Sequence, residues 1–158
     1  MIHVDTYEKW WITISVAVVA IFFATITISS AAMGYQLPYS AQLVNPNTVA
    51  TTGTFAEPGL RELAPGKYEA VIRAGAKPWV FTPNELKVPV GSQVTFIVTS
   101  QDVQHGFLVE NTNVNAMLLP GRVTTLTHTF NTPGTYHYLC TEYCGLGHQY
   151  MFGTITVE

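Results

Sequence analysis

The chain has 158 residues and a mass of 17.4 kDa, which leaves room for one ordinary domain and an appendage. Its formal charge of −3 and 11% content of charged residues provide no basic face, so a nucleic-acid role is not expected. A hydrophobic fraction of 47% with a positive mean hydropathy is high for a small soluble domain, and it follows if one segment sits in lipid.

Residues 1–9 form a short tail, and residues 10–33 contain no charged side chain. A helix over that uncharged run reaches roughly 36 Å, enough to cross a hydrocarbon core of about 30 Å with some tilt. Trp10 and Trp11 at one end and Tyr35 at the other match aromatic belts at both interfaces. A cleaved signal peptide is the competing reading, because Ser29-Ser30-Ala31-Ala32 offers small residues. Against it stand the length of the run and a leader holding Asp5, Glu8 and a single Lys9 instead of a basic region. One uncleaved transmembrane helix is therefore expected. Lys9 is the sole cation near either end, so charge alone does not orient it; a short tail inside and a large domain outside is the simpler topology.

Residues 34–65 are rich in Pro, Asn, Thr, Ala and Gly and show no period of 2 or 3.6. They read as a linker laid along a surface or docked onto a partner, with the apolar residues of 37–49 favouring docking. The domain is expected over residues 66–158, with strand-like runs at 68–73, 85–89, 93–100, 106–110, 123–130, 134–139 and 153–157. Val94, Phe96 and Val98 alternate with Thr95, Ile97 and Thr99, and Asn131-Thr132-Pro133-Gly134 marks a turn. Such a series predicts an antiparallel β-sandwich or Greek-key barrel with one hydrophobic core.

The chemistry is concentrated in Cys140-Thr141-Glu142-Tyr143-Cys144-Gly145-Leu146-Gly147-His148-Gln149-Tyr150-Met151, which would form the loop between the last two strands. Two thiols, an imidazole and a thioether make a soft-metal set. A disulfide between the only two cysteines is the alternative, but it would close a very small loop and constrain the unfolded chain little. Of the five histidines, His3 precedes the membrane segment, and His128 and His137 lie in strand-like runs that suit hydrogen-bonded or surface histidines. His105, at a loop-to-strand junction, is the candidate for the remaining ligand.

With Gln101-Asp102-Val103-Gln104-His105-Gly106-Phe107, Leu118-Leu119-Pro120-Gly121, Pro133-Gly134-Thr135-Tyr136, the loop above and Met151-Phe152-Gly153 in hand, the sequence resembles subunit II of cytochrome c oxidases. With its single helix it is similar to the short subunit II of B-type haem–copper oxidases. The resemblance implies an all-β cupredoxin-like Greek-key sandwich or barrel carrying a binuclear copper centre of the CuA type. It implies that Cys140 and Cys144 bridge the coppers, that His105 and His148 each bind one, and that Met151 and the backbone carbonyl of Glu142 are weak ligands. It also implies a cytochrome c or similar donor, a haem-containing catalytic subunit I as acceptor, and a plasma-membrane location with the copper domain on the outer, periplasmic side.

The ligand types agree with that implication. A mononuclear cupredoxin needs one Cys, two His and a weak axial Met, which leaves Cys140 surplus, and a Cys₂His₂ zinc site makes no use of Met151. Trp79 and Phe81, in Lys77-Pro78-Trp79-Val80-Phe81, fall where the family places aromatic residues near the donor's docking surface, and they are the candidate electron-receiving residues. Replacement of Trp79 by Leu is expected to slow donor oxidation while leaving the copper spectrum unaltered. Asp102 and Gln149 are candidates to hold the distal nitrogens of His105 and His148, and Tyr143 and Leu146 to shield the site from water. The part after Met33 has eight acidic and six basic residues, so docking should lean on apolar contact. Three functional alternatives remain open at this point: a nitric oxide reductase subunit with the same copper domain, a membrane-tethered copper-delivery protein, and a disulfide-stapled binding module.

Overall fold

The computed structural model describes residues 5–38 and 42–158; His3 and parts of the expected tail and linker lie outside them. The chain divides into two compact units, and the second spans Gln36–Glu158.

Helix α1 covers Thr6–Met33, one turn more than the uncharged run. The extra turn arises because Asp5 caps it: its carboxylate accepts from the Tyr7 amide at 2.8 Å, and Glu8 accepts from the Asp5 amide at 3.2 Å. Gly34, at φ 62°, adopts the left-handed conformation that closes the other end. The hydroxyls of Thr13, Thr25 and Thr27 donate to carbonyls four residues back, so these polar side chains need no water. No residue of α1 is buried, and its exposed side chains include Val19, Ile21, Phe22 and Phe23. A helix of 28 residues spans about 42 Å, and this apolar rod is a single membrane-spanning segment by length and composition.

The second unit is a two-layer, cupredoxin-like sandwich. One sheet has the order β1 (Gly59–Ala64), β2 (Lys67–Ala76), β5 (Ser92–Ser100), β8 (Val123–Phe130), with β3 (Trp79–Thr82) beside the far half of β2. The other runs β4 (Glu85–Val88), β10 (Phe152–Val157), β9 (Gly134–Leu139), β6 (His105–Val109), β7 (Asn115–Leu118). Both sheets are mixed: β2 pairs parallel to β5 and β4 parallel to β10, where antiparallel pairing alone was expected.

The alternation in β5 turns Val94, Phe96 and Val98 inward. Phe96 of one layer meets Phe107 of the other at 5.6 Å, and Phe107 contacts Tyr138 at 5.5 Å and Phe81 at 5.5 Å. The Tyr138 hydroxyl, deep in this cluster, donates to the Pro83 carbonyl at 2.8 Å.

The stretch after the helix is laid on the domain's own surface. Val49 and Phe55 are buried against Val71 and Val123 on the outer face of the first sheet, with Val44 and Ile97 beside them. Gln36 is fixed by exchanging hydrogen bonds with the backbone of Thr127. Strand β1 also falls inside the expected linker, paired with β2 from Gly59↔Val71 to Ala64↔Lys67.

Candidate metal centre

His105 opens β6, in register with Leu118 of β7, and is fully buried. Its Nε2 donates to Asp102 Oδ1 at 2.9 Å. Asp102 Oδ2 also accepts from the Ala76 amide at 2.6 Å. With the Nε2–H donating to the carboxylate, the lone pair of the ring lies on Nδ1, the atom that faces Cys140 Sγ at 3.8 Å. Burial alone would raise the Asp102 pKa, but the Ala76 amide and His105 outweigh it and lower it. Burial would lower the His105 pKa, and the contacts with Cys140 and Asp102 raise it.

Strand β9 delivers Cys140 and β10 begins just after Met151, so the two central neighbours of the second sheet hold the loop by its ends. The Cys140 amide donates to the Met151 carbonyl at 3.1 Å, closing the base. Within the loop a 3₁₀ turn, His148–Tyr150, brings the imidazole and the thioether back toward the thiols.

The donors form a compact cluster. Cys140 Sγ lies 3.7 Å from Cys144 Sγ, Cys144 Sγ lies 3.6 Å from His148 Nδ1, and Met151 Sδ is 3.8 Å from Cys144 Sγ. Donor atoms of His105, Cys140 and Cys144 all fall within 4.8 Å of one another. The Glu142 carbonyl accepts from the Cys140 thiol at 3.3 Å. Both cysteines are free, and their separation exceeds the roughly 2.05 Å of a disulfide. Thiols, imidazoles and a thioether converging in a buried place suit a soft ion such as copper.

The two thiols differ in character. Burial works against ionisation of Cys140, yet His105 and the amides of Gly106 and Glu142 lower its pKa to about 6. Cys144 is pushed up to about 12 by burial and then by its neighbour Cys140.

Close approach of β6 to the loop depends on Gly106. A Cβ there would lie 2.6 Å from the Thr141 amide nitrogen and 2.9 Å from that of Glu142.

Trp79 is half-buried beside the loop, with its Nε1 donating to the Cys144 carbonyl at 3.1 Å. Phe81 is fully buried against Phe107 and Tyr138, in the core and not at the surface. Gln149 is exposed on the 3₁₀ turn; Tyr143 and Leu146 are 77% and 84% exposed, and the Tyr143 ring makes an edge contact with the His148 imidazole at 5.9 Å. His128 is partly buried, its Nδ1 2.7 Å from Asn113 Oδ1, and His137 is exposed. Trp79 and Phe81 are two residues apart and share a face of β3; Trp79 opens the strand beside the loop and Phe81 lies deeper, a difference that side-chain alternation does not record.

The family model for "Cytochrome C oxidase subunit II, periplasmic domain" matches residues 31–158. One cytochrome c oxidase subunit 2 of Thermus thermophilus is 40% identical over 154 residues, covering 96% of this chain and 92% of that protein. A second Thermus thermophilus cytochrome c oxidase subunit 2 is 44% identical over 115 residues, 73% of this chain and 85% of the other. Among solved structures, a chain of a heme-copper terminal oxidase dimer seen by cryo-EM superposes with a TM-score of 0.77 at 34% identity, covering 96% of this chain and 99% of that one.

Proposed function

The chain belongs to the cytochrome c oxidase subunit II family, and we propose that its cluster of thiols, imidazoles and a thioether holds two copper ions. It is the electron-transfer subunit of a haem–copper terminal oxidase, with one membrane-spanning helix and a cupredoxin-like copper domain. The observation that carries the two-copper reading is that each thiol has an imidazole of its own, His105 at Cys140 and His148 at Cys144, within one compact cluster.

In this reading Cys140, Cys144, His105 and His148 would hold the coppers, with Met151 and the Glu142 carbonyl as weak ligands. Bound there, the coppers would supply a one-electron relay. The chain's own contribution is rigidity. The sheet neighbours β9 and β10 fix the loop's ends, Asp102 fixes the tautomer and orientation of His105, and the core beneath excludes water. Small ligand displacement is what makes each electron transfer inexpensive.

Electrons then pass from cytochrome c or a similar donor to haem in a catalytic subunit I, where oxygen is reduced, and the copper domain faces the periplasm. The matching family is that of a periplasmic domain, which supports that side. Trp79 is the electron-receiving residue, supported by its direct bond to the Cys144 carbonyl. That bond also changes the expectation for Trp79→Leu: the copper spectrum should shift together with the rate of donor oxidation.

The test is the copper-to-protein ratio of the detergent-purified chain. Two coppers per chain are expected, falling to one or none in Cys140→Ser. One copper per wild-type chain would sink the proposal.

A further inference from the structure

Two hydrogen bonds reach the metal centre's ligand segments from one short hairpin outside them. Strands β2 and β3 are joined by Lys77 and Pro78, with Ala76 opposite Trp79 in register. At one end the Ala76 amide donates to Asp102 Oδ2 at 2.6 Å, and the other oxygen of that carboxylate holds His105 Nε2 at 2.9 Å. At the other end Trp79 Nε1 donates to the Cys144 carbonyl at 3.1 Å. The indole also lies flat on the loop: a Cβ on Gly147 would come within 2.8 Å of Trp79 Cγ, and one on Gly145 within 3.1 Å of Trp79 Cζ2. Cross-strand partners sit only about 5 Å apart. A continuous path thus runs His105, Asp102, Ala76, Trp79, Cys144, and the thiol contacts of Cys140 with His105 and Cys144 close it into a ring.

We infer that the β2–β3 turn is a strut that sets the spacing between the His105 segment and the Cys144–His148 segment before any metal arrives, with Asp102 and Trp79 as its two positioning residues. The physical need is clear from the loop's composition. Cys140, Cys144 and Met151 pack into the core at the loop's inner side and the Tyr143 ring meets His148 at 5.9 Å, but Leu146 and Tyr150 on its outer side are exposed, and segments with exposed outer faces open more readily. The strut adds a hold from outside to the loop's inner contacts. A hairpin pinned at both ends cannot release one segment without loosening its hold on the other.

The inference deepens the copper reading, because it concerns the same ligands, but its test uses no copper. Amide hydrogen exchange is followed in the full-length, copper-free chain in detergent, in peptides covering residues 102–106 and 144–151. Asp102→Ala touches the first segment and Ala76, not the second. It is expected to speed exchange at 144–151 several-fold nonetheless. Trp79→Phe keeps an aromatic ring but loses the donor. It should speed exchange at 144–151 roughly tenfold, the usual worth of one hydrogen bond, and at 102–106 by a smaller factor. The double variant should gain less than the product of the two single effects, because either change alone frees the strut. Exchange that rises only in the segment each substitution touches, with effects that multiply in the double variant, overturns the strut. If Asp102→Ala does not fold, Trp79→Phe decides alone: spread to 102–106 supports the strut, and confinement to 144–151 refutes it. A chain that binds a single copper yet shows this coupling would refute the two-copper centre and leave the strut standing.

Discussion

Helix α1 turns Val19, Ile21, Phe22 and Phe23 outward and buries none of its 28 residues, whereas the β domain gathers Phe81, Phe96, Phe107 and Tyr138 into one interior. The helix meets its backbone hydrogen-bonding needs within itself, so any apolar side chain serves and only polarity matters. In the sandwich the apolar side chains interlock, so volume and shape matter as well. Similar residue types are thus read by two different rules within 158 residues.

The sharpest way to break the comparison is to separate the two parts. A fragment beginning at Gly34 should remain in aqueous solution without detergent and still take up copper, while the full chain partitions wholly into detergent or membrane; sedimentation with and without detergent reads this out. Next in size, Phe107→Ala should cost the β domain about 3–5 kcal/mol in thermal or denaturant unfolding, while Phe22→Ala in the helix leaves that transition where it was. Equal effects would mean that the helix is packed like a core element. Gly106→Ala should be milder in stability, about 1–3 kcal/mol for forcing β6 away from the Thr141 and Glu142 amides, but it should show disproportionately in copper retention.

The smallest effect is a pH dependence. Burial lowers the His128 pKa in the folded state, so as pH falls the unfolded chain takes up the proton first. Stability should decline as pH drops from neutrality through about 6.5, the ordinary histidine value, and level off below the folded pKa. His128→Gln should flatten that slope when melting is compared at neutral and mildly acid pH, and an unchanged slope would assign it to other groups.

Sequence alone was informative where side chains obey a single simple rule. The uncharged run of the helix, the alternation of Val94, Phe96 and Val98, and the closeness of Cys140, Cys144, His148 and Met151 all fall in that class. Strands β1, β3 and β7 were not foreseen: each is short, and β1 is exposed along most of its length, so no alternation marks it. Parallel pairing of β2 with β5 left no trace either, because side-chain alternation records which face is buried and not which way the neighbour runs. Trp79 and Phe81 looked equivalent in sequence, and only the register of β3 with β2 sends one to the core and the other to Cys144. Asp102 was one of two candidates for holding a ligand imidazole, and its grip on Ala76 depends on a contact 26 residues away that no local pattern announces.

Strand β10 is the last element of the chain, yet it lies between β4 and β9 in the second sheet. During synthesis, His105 and both thiols therefore emerge before the strand that will brace them, and Met151 has no fixed place until residues 152–157 have paired on both sides. The nascent chain passes through an interval in which two cysteines four positions apart are present without their frame. The frame around the metal centre is thus complete only once the final strand has paired on both sides.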